Sequence, residues 1–259
     1  MERPILFSSL TKAYGSVEVV KDFNASILPG QFVSLLGHSG CGKSTVLSIL
    51  AGLQEATSGG IIIDGREIDG PALSRAIVFQ SPSLLPWLTA LENVRLAYSQ
   101  ANPKTSARSQ RDAAQHYLDM VGIGNYAHSL PSELSQGTQQ RVSIARAFSL
   151  EPRILLLDEP FGMLHSITRL ELQDLLLDLW EQQRKTVVLV THDIDEAIYL
   201  SDRILLMTDG PESKLGLDIT VPLPRPRDRR MATDDPAYFQ LCREVIGFLV
   251  SHTRQFAAV

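Results

Sequence analysis

Phe32-Val33-Ser34-Leu35-Leu36-Gly37-His38-Ser39-Gly40-Cys41-Gly42-Lys43-Ser44-Thr45 decides how the rest of the chain is read. The first five residues form a short, nearly unbroken apolar run, which predicts a strand buried on both faces. Glycines at 37, 40 and 42 then frame a loop, and a helical pattern from Ser44 to Leu53 follows it. The spacing fits G-x-x-x-x-G-K-S/T in the strand–loop–helix context that this pattern requires. Glycines let successive backbone N–H groups turn inward toward phosphate oxygens, and the helix N-terminus adds a favourable dipole. Gly37, His38, Ser39, Gly40, Cys41, Gly42, Lys43, Ser44 and Thr45 are therefore the candidate nucleotide-binding loop. Lys43 is the candidate catalytic cation for the β- and γ-phosphates, and Ser44 a candidate Mg²⁺ ligand. Cys41 reads as a small loop residue rather than a nucleophile, and His38 as incidental rather than catalytic.

Working outward, short apolar runs recur at Ile61–Ile63, Ala76–Phe79, Ile154–Leu157, Val187–Val190 and Ile204–Met207. Helical patterns lie between them, such as Thr168 to Gln183 with Leu172, Leu175, Leu176 and Leu179 at helical spacing. Strands alternating with helices predict an α/β fold with a parallel sheet. The stretch from about Thr89 to Ser132 breaks the alternation. It is polar and shows no strand, and Ala107 to Val121 reads as a helix with Ala114, Tyr117, Leu118 and Val121 on one face. It is read as a helical insertion between two core strands. Beyond Asp209 the chain is punctuated by glycine and proline. Asp235-Pro236 then starts a last helix, with an acid at the cap and proline in the first turn. Tyr238, Leu241, Cys242, Val245, Ile246 and Leu249 form its apolar stripe, read as docking onto the core.

Three of the runs end in polar groups. Ile154-Leu155-Leu156-Leu157 leads into Asp158-Glu159, and a buried carboxylate without a partner is costly. In open α/β sheets ligands bind at the carboxyl ends of strands. Asp158 is thus a candidate Mg²⁺ ligand and Glu159 the candidate general base for an attacking water. The strand Ala76–Phe79 ends in Gln80, a candidate for Mg²⁺ or that water. Thr186–Thr191 is followed by His192, a candidate γ-phosphate contact at the same sheet edge.

Composition bounds the rest. The chain has 259 residues, 44% hydrophobic and 20% charged, an ordinary globular balance. Its net charge of −5 gives no footing for wholesale nucleic-acid binding. Cys41 and Cys242 form no metal-spaced cluster and fit a reducing compartment. Met1-Glu2-Arg3-Pro4 lacks a long apolar core, so no signal peptide is expected. The apolar runs fall well short of the ~20 residues that span a bilayer.

With these residues in place, Leu134-Ser135-Gln136-Gly137-Thr138-Gln139-Gln140-Arg141, just ahead of the acidic strand, resembles the signature motif of the ABC ATPases. The resemblance runs from the N-terminus to about Met207. It implies a phosphate-loop NTPase core with an inserted helical subdomain and a small antiparallel β part near the N-terminus. It also implies a single ABC ATPase domain over 1–259: core 1–88 and 133–210, helical subdomain 89–132, and a C-terminal extension 211–259. Two such subunits would sandwich two ATP molecules. Ser135 and Gly137 of one would cap the γ-phosphate held by Lys43 of the other, and Tyr14 would stack on adenine; the alternative for Tyr14 is core packing.

A closer resemblance is to ATPases of bacterial nitrate, sulfonate, taurine, cyanate and bicarbonate importers. It is carried by residues 37–42, by Leu84-Leu85-Pro86-Trp87-Leu88-Thr89 and by Asp158-Glu159-Pro160-Phe161-Gly162. Met207-Thr208-Asp209-Gly210-Pro211 and Pro222-Leu223-Pro224-Arg225-Pro226-Arg227 add to it. The Met163-Leu164 and Ser166-Ile167-Thr168-Arg169 surroundings and the tail are most similar to the nitrate branch. The implied function is ATP hydrolysis, with Mg²⁺, that powers uptake of a small anion, nitrate or nitrite first. The implied partners are a second ATPase subunit, identical or not, two transmembrane permease subunits and, indirectly, a substrate-binding protein; no nucleic acid is expected. The implied location is the cytoplasmic side of the inner membrane, peripherally. Leu84 to Leu88, apolar and broken by proline, would help to receive the permease; the alternative is a loop packed on its own subdomain.

The chain departs from the family pattern at three places. His165 stands where the family has an aspartate, Gln136 where it has a glycine, and Thr138 where it has glutamine or methionine. These departures keep open a weakly hydrolysing regulatory subunit in a heterodimer.

Overall fold

In the computed structural model of the chain, residues 3–252 are described, apart from the side chain of Met231. Met1 and Glu2, within the stretch read for a signal peptide, and residues 253–259 of the C-terminal extension lie outside them. The described chain forms two compact units, residues 3–71 with 184–252, and Ala72–Gln183.

The first unit opens with two long strands, β1 (Ile5–Tyr14) and β2 (Val17–Ile27). They pair antiparallel with bulge-like register shifts, and Phe7 and Phe23 meet edge-to-face at 5.4 Å between ring centroids. β3 (Phe32–Leu36) is buried at every position, as its unbroken apolar run predicts, and leads through the glycine loop into α1 (Lys43–Ala51). β4 (Ser58–Ile63) and the two-residue β5 (Arg66–Glu67) complete an antiparallel sheet of order β2-β1-β4-β5.

Ala72–Gln183 carries β6 (Arg75–Val78), then α2 (Ala90–Ala101) and α3 (Ala107–Met120). The expected absence of strands over this polar stretch is what the chain shows, with helices and two short 3-10 turns. α2 begins with a full capping box: the Thr89 hydroxyl accepts the Glu92 N–H and the Glu92 carboxylate accepts the Thr89 N–H. α4 (Gln136–Ser149), β7 (Ile154–Asp158) and α5 (Ser166–Gln183) follow. β6 and β7 run parallel, with Val78 opposite Leu157. Leu172, Leu176, Leu179 and Trp180 bury the inner face of α5. Each such side chain contributes about 1.5–3 kcal/mol on full burial.

The chain then returns to the first unit with β8 (Thr186–Thr191), α6 (Ile194–Leu200) and β9 (Arg203–Met207). β3 lies between β8 and β9, parallel to both, and β10 (Leu215–Thr220) adds antiparallel to β9. α7 (Arg229–Asp234) precedes α8 (Pro236–Ser251), capped by the Asp235 carboxylate with Pro236 at the first position. The stripe of α8 is narrower than its sequence suggests. Tyr238, Leu241 and Val245 are buried, Cys242 and Leu249 are half-buried, and Ile246 is 48% exposed. Ile246 falls at the edge of a stripe whose buried residues are Tyr238, Leu241 and Val245. Among the described residues no helix is long and apolar enough to cross a membrane.

Candidate nucleotide site

Contacts within the glycine loop set much of its shape. Gly40 and Gly42 have φ of 79° and 97°, the left-handed region that a side chain makes costly. A Cβ on Gly37 would lie 2.9 Å from Cys41 Sγ and 3.2 Å from the Met207 carbonyl oxygen. Gly42 is the N-cap of α1, and no side chain caps the helix. Such an end directs its first N–H groups and its dipole at whatever sits in the loop, which suits an anion. Lys43 is only 5% exposed, and its ammonium donates to the carbonyl oxygens of Gly37 and His38, each at 2.8 Å. Burial pushes the Cys41 thiol up, partly offset by the Lys43 charge; a raised thiol fits a small loop residue and not a nucleophile. Ser39, Gly40 and Ser44 are exposed and Thr45 half-buried.

The same sheet positions His192. β3 and β8 are parallel with Leu36 opposite Thr191, so the glycine loop and His192 leave adjacent strands at the same end. His192 is exposed there. The Asp193 carboxylate beside it caps α6, fixing where the strand stops. Tyr14 ends β1 and is 48% exposed, which removes the core-packing alternative. Its hydroxyl donates to Gln54, and Lys12 lies 5.2 Å over its ring.

The second unit gathers Gln80, Asp158 and Glu159. Because Val78 opposes Leu157, the residues after β6 and the carboxylates at the end of β7 emerge side by side. A Cβ on Gly162 would meet the Gln80 amide nitrogen at 3.2 Å and a Glu159 carboxylate oxygen at 3.8 Å, so both side chains border the bare face of this glycine. Glu159 has φ of 45°. A non-glycine residue in that region carries about 1–2 kcal/mol of strain, of a kind that clusters at functional sites.

Gln140 was not singled out in the sequence. It is 1% exposed on α4, and its amide donates to the carbonyls of Phe79 at 3.1 Å and Pro160 at 2.8 Å. It thereby ties the backbone just before Gln80 to the backbone just after Glu159. The available signal was a carboxamide on the same helical face as the apolar Ile144 and Phe148, where a buried polar group needs partners.

The signature segment starts α4. Ser135 is the N-cap, its hydroxyl accepting the Thr138 N–H at 3.2 Å. Ser135 and Gln136 are exposed, while Gly137 is buried. A Cβ on Gly137 would approach the Thr168 methyl on α5 to 2.5 Å, so the Thr168 side chain would have to shift to admit one. His165 is exposed, and its carbonyl accepts the Arg169 N–H at the start of α5. Met163, Ile167 and Leu170 around it are exposed as well. Trp87 is 71% exposed, whereas Leu84, Leu85 and Leu88 are half-buried. The buried Asn93 braces their loop, accepting the Leu85 N–H and donating to the carbonyls of Leu85 and Leu88.

The family model described as ABC transporter matches residues 20–162. The chain is 46% identical over 243 residues to the nitrate import ATP-binding protein NrtD of Synechococcus elongatus, covering 94% of this chain and 88% of that one. It is 43% identical over 249 residues to the bicarbonate transport ATP-binding protein CmpD of the same organism, covering 95% and 90%. Among solved structures it is similar to the post-hydrolysis dimer of the ATP-binding cassette MJ0796 bound to ADP and Pi. There the TM-score is 0.75 at 35% identity, covering 85% of this chain and all of that one.

Proposed function

The chain belongs to the ABC transporter family as an ATP-binding, ATP-hydrolysing subunit, and we propose that it powers the import of nitrate or nitrite. The observation that carries the substrate is the 46% identity to a nitrate import subunit over 94% of the chain. A second reading, bicarbonate, is favoured by the 43% identity to CmpD over a similar span.

In this reading the backbone N–H groups of residues 37–45 hold the ATP phosphates. Lys43 exchanges two carbonyl partners for β- and γ-phosphate oxygens. Tyr14 offers its exposed ring to adenine. Glu159 takes the proton of the attacking water, with Gln80 orienting that water and His192 contacting the γ-phosphate. Ser44, Gln80 and Asp158 supply a hydroxyl, an amide oxygen and a carboxylate, a hard-oxygen set that fits Mg²⁺. When bound there, Mg²⁺ would neutralise charge on the phosphates. Ser135 and the Gly137 backbone serve the ATP of a second ATPase subunit.

The functional division is residues 1–88 and 133–210 as core, 89–132 as helical subdomain and 211–259 as extension. The remaining partners are two permease subunits, which Trp87 helps to receive, and a substrate-binding protein. The working place is the cytoplasmic face of the inner membrane.

The test is transport. Cells lacking the chain should lose uptake of labelled nitrate and regain it with wild type but not with Lys43→Ala. Loss of bicarbonate uptake with nitrate uptake intact would select the second reading.

A further inference from the structure

His38 sits in the glycine loop and uses its two polar ends in opposite directions. Its backbone carbonyl accepts the Lys43 ammonium at 2.8 Å and the Cys41 N–H at 3.3 Å, both inside the loop. Its ring reaches 211 residues along the chain, where Nε2–H donates to the Leu249 carbonyl at 3.1 Å. A carbonyl only accepts, so this contact requires the proton on Nε2.

Leu249 lies in the last turn of α8, where carbonyls have no partner four residues on within the helix. Its oxygen also takes the His252 N–H at 3.3 Å. The helix is held along its whole length. The Tyr238 hydroxyl donates to Asp195 of α6 at 2.5 Å, and Val245 is fully buried. Near the far end the Phe248 ring lies on the bare face of Gly216 in β10, where any Cβ would come within 2.4 Å of it. The last turn of α8 is therefore a fixed point, and the His38–Leu249 hydrogen bond joins it to the residue whose carbonyl locates Lys43.

We propose that α8 is a positioning element for ATP binding: through His38 it holds the glycine loop in the geometry that accepts phosphates, so loosening the end of α8 weakens ATP affinity. This rests on the phosphate-loop reading of residues 37–45. Preorganisation of this kind acts on binding, because a loop fixed beforehand loses less freedom when ligand arrives. It leaves the hydrolytic groups unchanged, so turnover at saturating ATP is the quantity least affected.

The experiment measures the Kd of the full-length chain for ATP and its turnover at saturating ATP. His38→Ala should raise the Kd about three- to tenfold, the scale of one lost hydrogen bond. In Phe248→Ala, outside the loop, the rate at saturation should change by less than about twofold, since the loosened helix acts on binding alone. His38→Gln, whose amide can donate to the same carbonyl, should restore most of the affinity. Phe248→Ala, outside the loop, should weaken ATP binding by a similar factor, and the double variant should be no weaker than either single one. Phe248→Leu takes its place if thermal unfolding shows that the alanine variant does not fold.

Unchanged affinity in the Phe248 variant, or simple additivity with His38→Ala, would overturn the proposal. Lys43→Ala separates this from the underlying reading. If Lys43→Ala binds and hydrolyses ATP normally, the phosphate-loop reading fails. If it does not, while the His38 and Phe248 variants keep their affinity, only the role of α8 falls.

Discussion

The glycine loop and the signature segment each end in a helix, but their helix starts are built in opposite ways. α1 begins on Gly42 in the left-handed region with no side-chain cap, and Lys43 folds back onto the carbonyls of its own loop. α4 begins on Ser135, whose hydroxyl already satisfies the Thr138 N–H, while Ser135 and Gln136 lie open to solvent. The first arrangement is complete within one chain apart from its anion. The second caps its own helix and presents an exposed surface, the one proposed above to serve a second subunit. Of the three departures that the resemblance implies, Gln136 and Thr138 fall in the second segment, and His165 lies outside both, just before α5.

If that contrast is right, the largest effect belongs to the loop. Lys43→Ala should remove detectable ATP hydrolysis and weaken ATP binding, because it deletes the cation that faces the developing phosphate charge. Nucleotide titration and steady-state phosphate release measure both; near-normal turnover would break the comparison at its first term. Glu159→Gln comes next. It should keep ATP binding and slow hydrolysis by about 10²–10⁴, the range of a lost general base. An ATP-dependent dimer should then accumulate in size-exclusion chromatography. Wild-type turnover would assign the base elsewhere.

The signature glycine is also expected to be a packing requirement, beside the phosphate contact proposed for its backbone. Gly137→Ala places a methyl 2.5 Å from the Thr168 methyl. Overpacking costs about 1–3 kcal/mol, against up to ~1 kcal/mol gained from helix propensity. The melting temperature should fall by a few degrees, and Thr168→Ser should recover it by removing the methyl. Failure of that rescue would leave the close approach without consequence.

These residues also show what was legible. β3, β7, β8 and β9 announce themselves as apolar runs because they are buried on nearly every position. β10 does not. Only Ile219 is buried in Leu215–Thr220, among glycine and proline, and its partner β9 supplies the order. The glycine loop was readable because strand, glycines and lysine are contiguous. The partners of Gln140 and of the His38 ring lie far away in sequence, so a local pattern could at most mark Gln140 as a carboxamide on an apolar helix face and could not say what it joins.

The smallest expected effect is at His165, where the comparison is sharpest. The residue is exposed, lies just before α5, and uses its carbonyl to start that helix by accepting from Arg169. Its side chain is therefore available to a partner, and exchanging it need not disturb the helix. An aspartate, the residue that the resemblance implies here, presents two acceptor oxygens; an imidazole offers at most one acceptor nitrogen. Hydrogen bonds received across a subunit interface would thus be fewer with histidine. His165→Asp should raise steady-state ATPase of the homodimer at neutral pH by a modest factor, about two- to tenfold for one added hydrogen bond. Thermal unfolding should stay within about 0.5 kcal/mol, as for exposed substitutions generally. The comparison must be made at matched ATP-bound dimer content, so that tighter dimerisation is not read as faster chemistry. Equal or lower turnover in the aspartate variant would mean that the interface has adapted to histidine. A gain seen only when the variant is mixed with a second, different ATPase subunit would instead mark this chain as one half of a heterodimer.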